Sequence, residues 1–384
     1  MNGPEIRQLI LEKRVIITVG AGGVGKTTTA AAISVAAARM GKRVLCLTID
    51  PARRLAESLG IHEMSTDAMT VDAARFREAG IEMKGSLTAM MLDTKRTFDE
   101  LVLKYSSSKE RAEALLKNRL YIYVSGSLAG TQEYMAMEKL VAVKEDANYD
   151  LIVLDTPPTA NALDFLDAPE RLTSALDSAA MKWFTEAFQS TGKFSLNLLA
   201  RSAAAILRGI GKITGGGFLE EMAEFIRELN DLFGGFKQRA AVVEKTLRSS
   251  DVAFVLVSSP SPMSIREALY FSERLQASSM PRGAFVVNRV HNPPSYAEGV
   301  RAEDAEAGIQ RHHLELEPGA GERLVAAHTD SAKLATLDAR NIAVLEKAAA
   351  GKVPLIRVLE LSTDVYDVTL LAQLGDVLLG APVS

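Results

Sequence analysis

Seven short apolar runs punctuate the chain, at residues 15–19, 44–49, 87–92, 151–154, 253–258, 284–288 and 354–359. Val15-Ile16-Ile17-Thr18-Val19 and Leu151-Ile152-Val153-Leu154 are typical: nearly continuous in apolar character, rich in β-branched residues, and not alternating. A strand that reads this way is covered on both faces, as in a parallel sheet. Helical stretches separate the runs. One is Thr28 to Met40, ended by Gly41. Strand alternating with helix predicts an α/β fold, a doubly wound and mostly parallel sheet.

Two stretches break the alternation. Residues 96–147 are helical in pattern, and about a hundred residues after the fourth run contain no strand candidate at all. In the second stretch Leu172, Leu176, Ala180, Phe184 and Phe188 recur at i+4. Leu199, Ala203, Ile206, Ile210 and Ile213 form another stripe. Leu219, Met222, Ile226, Leu229, Phe233 and Phe236 form a third, widened by Phe225 and Leu232. Thr214-Gly215-Gly216-Gly217 separates the last two helices as a hinge. The pattern predicts a single domain, 1–384, with an α-helical subdomain inserted at about 96–147 and 162–248. Mutual packing of the helices accounts for most of the stripe positions. The other reading is an apolar groove for a client segment, to which Met135, Met137, Met181 and Met222 would contribute. Residues 291–352, opening on Pro293-Pro294, read as loop plus surface helices, the last at roughly 339–350.

The chemistry gathers at the carboxyl ends of the strands. After the first comes Gly20-Ala21-Gly22-Gly23-Val24-Gly25-Lys26-Thr27-Thr28, which fits G-x4-G-K-[ST] between a strand and a helix. Such a loop closes backbone N–H groups around phosphate oxygens at a helix N-terminus. Gly22, Gly23, Val24, Gly25, Lys26, Thr27 and Thr28 are therefore the candidate nucleotide-binding residues, with Lys26 reaching the β- and γ-phosphates and Thr27 a Mg²⁺ ligand. After the second strand, Asp50-Pro51-Ala52-Arg53-Arg54 places Asp50 to order magnesium waters or the attacking water. Asp50 is equally suited to cap the following helix. After the fourth, Leu154-Asp155-Thr156-Pro157-Pro158 makes Asp155 a magnesium-site carboxylate, direct or through water. The sixth ends Val287-Asn288-Arg289, and Asn288 is placed to bond a base edge. Ser258-Ser259-Pro260-Ser261-Pro262 is a further crevice loop without an assigned role.

Bulk properties narrow the class. The chain is 47% hydrophobic and 24% charged, ordinary for a soluble globular protein. Its net charge of −4 argues against general nucleic-acid binding. A lone cysteine, Cys46, permits no intrachain disulfide and suits a reducing cytosol. The N-terminal residues lack a secretory pattern, and no apolar run is long enough to span a bilayer. The expected location is cytoplasmic, free or peripheral to a membrane. His312 and His313 are adjacent and read as surface residues.

Taken together and in order, Gly20 to Thr27, Thr48 to Leu55, Leu92-Asp93-Thr94, Asp155 to Thr159, Ser259 to Glu267 and Val287-Asn288 resemble one family. It is that of the arsenite-pump ATPase ArsA and the tail-anchored-protein targeting ATPases, within the dimeric P-loop NTPases that also hold MinD and ParA. The resemblance covers nearly the whole chain. It implies hydrolysis of ATP with Mg²⁺ in a dimer whose subunits face each other across the nucleotides. It makes Asp50 the water-activating aspartate, Asp155 the magnesium-site aspartate and Asn288 the adenine-reading asparagine, and it makes the helical subdomain the client-binding region. The sequence also departs from the family. A lysine usually follows the first glycine of the loop and reaches across the dimer; here that position is Ala21. Such a cation can be worth ~10³-fold in rate. Arg53 or Arg54 could replace it, a lysine-bearing paralogue could supply it in a heterodimer, or the chain could be a slow nucleotide-binding switch. With only Cys46, neither the family's arsenite-binding cysteines nor its zinc-binding Cys-x-x-Cys can be present. The partners expected are a second copy or that paralogue, and an apolar or membrane-protein client. A ParA-like membrane tail is not expected, because residues 374–384 contain no Lys or Arg.

Overall fold

The structure, a computed structural model, describes residues 5–49, 54–61, 66–119, 121–122, 125, 131–156, 167–168, 171, 174, 225, 238–292, 300–349, 351–361 and 363–381. Its strands are β1 (Val15–Val19), β2 (Arg43–Thr48), β3 (Met69–Thr70), β4 (Ser86–Met91), β5 (Leu151–Asp155), β6 (Val252–Ser258), β7 (Arg282–Val290) and β8 (Leu355–Leu359). They form one sheet in the order β3-β4-β2-β5-β1-β6-β7-β8. Only the β3–β4 pair is antiparallel. All seven predicted runs are strands of this sheet. The two-residue β3, with both residues exposed, is the strand the sequence did not announce.

The continuous apolar runs have a direct structural cause. Val15, Ile17 and Val19 of β1 point into one core, and Ile16 into another on the opposite face. The same division holds for Leu45 and Leu47 against Val44 and Cys46, and for Ile152 and Leu154 against Leu151 and Val153. On one face lie α1 (Glu5–Glu12), α2 (Lys26–Arg39), α4 (Ala73–Glu78) and α11 (Val368–Leu378). On the other lie α5 (Thr94–Tyr105), α6 (Lys109–Lys117), α7 (Thr131–Lys144), α8 (Pro262–Ala277) and α10 (Ala320–Ala349). A short α3 (Arg54–Ser58) follows β2, and α9 (Ala302–Arg311) packs against α10. The two alternating faces of each strand thus bury apolar side chains on both sides.

α2 is buried almost all round, and alanine makes that feasible: Ala30, Ala31, Ala32, Ala36, Ala37 and Ala38 are all enclosed. Small side chains let α11 lie close against it, with Gly375 over the Ala32 carbonyl and Ala36, and the Arg39–Asp376 ion pair (2.7 Å) at one end. Gly41, at φ 96, ends the helix where the sequence placed its stop.

Cys46 sits in β2 with no exposed surface, and burial pushes its thiol up to about 12. A buried thiol held protonated is a poor nucleophile. The native protein should therefore resist a maleimide that labels the urea-unfolded chain within minutes; rapid labelling of native protein would show the site to be open.

The helices of the 96–147 stretch are continuous with the sheet's core, not a separate layer: Phe98, Leu101, Tyr134 and Leu140 share one core with β1, β2 and β5. Met135 and Met137 are fully buried there, so they belong to packing and do not line a groove. Met181, Met222 and nearly all of the helical insertion expected at 162–248 lie outside the described residues. At its far end, residues 238–247 are helical, and Arg239 donates to Glu138 Oε2 through Nη2 (2.6 Å) and Nε (3.0 Å). Tyr134 Oη donates to the other oxygen at 2.5 Å. Burial and that carboxylate hold the Tyr134 hydroxyl neutral far above its ordinary range. Glu138 is 2% exposed, so the network is an interior one that joins α7 to the returning chain.

One expectation needs correction. The surface helix expected at 339–350 is the C-terminal third of α10, which begins at Ala320. His312 and His313 are exposed, as expected, and follow the end of α9. The Ser258–Pro262 loop starts α8, with Ser261 as its N-cap accepting from Ser264 N (3.2 Å). Among the described residues no helix is long and apolar enough to cross a membrane.

Candidate active site

β1 is central. From it the chain first visits β2 and β4 on one side, returns to β5, and then moves to β6, β7 and β8 on the other. The crevice at such a reversal, outside the carboxyl ends of the strands, is where α/β sheets bind ligands. The Gly20–Thr28 loop leaves β1 at that point and enters α2. Gly20 is indispensable, because a Cβ there would collide with the Val257 carbonyl oxygen of β6. Gly25 caps α2 in the left-handed region, φ 95, with no side-chain bond to the first turn. Gly22 and Gly23 are exposed, whereas Val24 is buried and anchors the loop. Lys26 is 5% exposed, and its Nζ donates to the Ala21 carbonyl at 2.8 Å across the loop. Thr27 and Thr28 are half-buried in the first turn of α2.

Asp155 ends β5, directly opposite Thr18 of β1 in register, and is fully buried. Thr48 Oγ1, at the end of β2, donates to its Oδ2 at 3.0 Å. Thr156 Oγ1 donates to the Thr18 carbonyl at 2.8 Å, and Ile49 N to the Asp155 carbonyl at 3.2 Å. Thr48 therefore holds the carboxylate at the floor of the crevice, while Thr156 and Ile49 tie the backbone around it. The oxygen donors at Thr27 and Asp155 are of the hard type magnesium takes, and magnesium keeps several waters and phosphate oxygens, so no all-protein cage is required. Asp50 and residues 51–53 lie outside the described residues; Ile49, just before them, also accepts from Gln132 Nε2 of α7 at 3.4 Å.

Asn288 reaches the loop from β7. Its Nδ2 donates to the Val24 carbonyl at 3.0 Å and its Oδ1 accepts from Arg289 N at 3.0 Å. It also walls a cavity of about 330 Å³ that opens from Gly25 and Thr28 and is closed by Leu359–Leu361, Thr363–Val365 and Leu374. That volume falls in the range of small-molecule sites. The structure thus brings the loop, Asp155 and Asn288 to one crevice. Sequence reasoning missed Thr18, Thr48 and Thr156, although threonines at strand ends flanking an Asp are a usable signal. It also missed Glu360, Leu361 and Thr363 to Val365, which carry no motif.

The fold and loop define a P-loop nucleotide-binding protein of the α/β class. Residues 13–315 match the family described as anion-transporting ATPase. The chain belongs to that family, and its class of reaction is ATP hydrolysis. It is similar to the ATPase get3 of Aspergillus terreus, 26% identical over 316 residues, covering 81% of this chain and 84% of that protein. The ATPase get3 of Aspergillus niger is 24% identical over 316 residues, covering 81% and 83%. The ATPase GET3 of Phaeosphaeria nodorum is 25% identical over 295 residues, covering 76% and 81%.

Proposed function

We propose that the chain is a magnesium-dependent, nucleotide-driven dimer switch whose site lies at Gly20–Thr28 and whose output is movement of a helical client-binding region. The observation that carries this reading is the loop itself: strand, positive-φ glycines and helix N-terminus, with Lys26 and Asp155 buried at its mouth. Gly22 to Thr28 would cradle the phosphates through backbone N–H groups. Lys26 would exchange the Ala21 carbonyl for β- and γ-phosphate oxygens. Thr27 and Asp155 would hold magnesium, which supplies charge neutralisation at the transferring phosphoryl group. Asp50 would orient the attacking water, and Asn288 would face the adenine. Closure around ATP would bring two subunits together in the cytoplasm and reposition the segment beyond Asp155, where an apolar or membrane-protein client would dock. A full switch needs ATP to favour the closed form by about 5 kcal/mol.

The test is Asp50→Asn. Steady-state ATP turnover should fall about a hundredfold or more while ATP affinity stays within a few-fold; unchanged turnover removes Asp50 from the mechanism. Mass measurement should show a dimer formed or tightened by ATP and Mg²⁺.

Ala21 favours a second reading, a regulatory or adaptor half of a heterodimer that hydrolyses little ATP alone. In that case Ala21→Lys should raise the turnover of the isolated protein by an order of magnitude or more. Equal turnover of both proteins counts against it.

A further inference from the structure

β7 ends in a bulge: Val287 pairs with Arg357 and Val290 with Leu359, so β7 uses one residue more than β8 over the same stretch. Arg289 absorbs it at φ 59. The bulge sends Asn288 toward the Gly20–Thr28 loop and delivers His291 beside Glu360, which walls the cavity. There His291 is gripped by α10. Its backbone N–H donates to Asp338 Oδ2 at 2.9 Å, and Nδ1 lies 2.8 Å from the same oxygen. Asp338 is 7% exposed, so this contact is an interior one. The other ring nitrogen, Nε2, lies 3.5 Å from Glu360 Oε2. The Glu360 backbone N–H in turn donates to the Val290 carbonyl at 2.9 Å, and its residue walls the cavity.

We propose that Glu360 is the carboxylate that receives the ribose hydroxyls of the bound nucleotide, and that His291, its ring set by Asp338, is the positioning residue that holds Glu360 in place. This rests on the cavity being the nucleoside end of the ATP site. A carboxylate oxygen faces each ring nitrogen, Asp338 Oδ2 at Nδ1 and Glu360 Oε2 at Nε2, so the ring bridges the two in its protonated form, which carries an N–H donor at both nitrogens. A carboxylate only accepts, and the vicinal hydroxyls of ribose are the donors that every nucleoside triphosphate offers. Carboxylates serve this role at other strand-end nucleotide sites. Asp364 also lines the cavity, but Glu360 is tied to β7 through its backbone N–H and faces His291 with its side chain, and a group that must meet two hydroxyls at once binds better when its orientation is already biased.

The experiment measures binding of ATP, 2′,3′-dideoxy-ATP and inosine triphosphate to the full chain by calorimetry. Wild-type protein should prefer ATP to the dideoxy analogue by roughly ten- to a hundredfold, the scale of hydrogen bonds to a charged group. Glu360→Gln, isosteric and at an exposed position, should reduce that ratio to within about threefold of unity, leaving the ATP-to-inosine-triphosphate ratio unchanged. His291→Phe should lower the ribose ratio in the same direction, and Asp338→Asn, which keeps an acceptor oxygen, should preserve most of it. A ribose ratio untouched by Glu360→Gln overturns the proposal. So does a change in the inosine ratio instead, which would assign the carboxylate to the base. A loss in Glu360→Gln but not in His291→Phe overturns the role of His291. Wild-type protein that binds none of the three nucleotides overturns the ATP-site reading and the proposal with it.

Discussion

Gly20→Ala should destabilise the protein by about 4 kcal/mol, at the upper end of single-substitution effects. The residue sits at φ 153, and any Cβ meets the backbone carbonyl of Val257 on the neighbouring central strand. Backbone cannot swing aside as a flexible side chain can, so β1 and β6 must separate or the loop must leave its path. Held-open loops of this kind cost a few kcal/mol where the native dihedral is also unfavourable. Urea unfolding followed by circular dichroism checks it, and ATP affinity should fall along with stability because the same displacement moves the N–H groups of the loop. Gly23→Ala is the control. It too has a positive φ, 76, but a Cβ there meets nothing within 4 Å, so its cost should be nearer 1 kcal/mol.

Arg239→Ala should cost about 3–5 kcal/mol, since it strips the cation from a buried carboxylate. Among the described residues Glu138 would keep only the Tyr134 hydroxyl, in an interior where an uncompensated charge is poorly tolerated. Arg239 also lies 5.9 Å over the Tyr105 ring, so packing is lost with charge. The double variant Glu138→Leu/Arg239→Leu separates the two effects. Removing both charges together should recover most of the loss, because the pair's own net contribution is small once its desolvation is counted. A double variant as unstable as Arg239→Ala would show that shape, not charge, dominates this junction.

The architecture was legible where the constraint is local. Continuous apolar runs marked the seven long strands because both faces of the sheet are covered, and the strand–loop–helix order marked the Gly20–Thr28 loop because glycine and lysine spacing is set by backbone geometry within nine residues. Asn288 and Asp155 were readable as polar residues closing apolar strands. Elements without a periodic signal were not. The long helix α10 exposes Leu324, Leu334, Leu337 and Val344, which blurs the contrast between its buried and solvent faces, so only its last third stood out. The wall at Glu360, Leu361 and Thr363 to Val365 was invisible for a different reason: it meets the loop only through tertiary folding, from opposite ends of the chain. The methionines of α7 show the converse error, since a flexible apolar residue looks the same in sequence whether it fills a core or lines a groove.

The smallest strand has a consequence for the protein's behaviour in concentrated solution. An outer strand with a long row of open amide and carbonyl groups can recruit a strand from another molecule and seed aggregation. At one margin of this sheet the outermost strand is β3, two residues long, and it runs against the direction of its neighbour. A visiting strand finds almost nothing there to pair with. Extending β3, for example by replacing the residues before Met69 with a valine-rich run, should turn a harmless margin into a nucleus for fibrillar or amorphous association without altering the crevice at the Gly20–Thr28 loop.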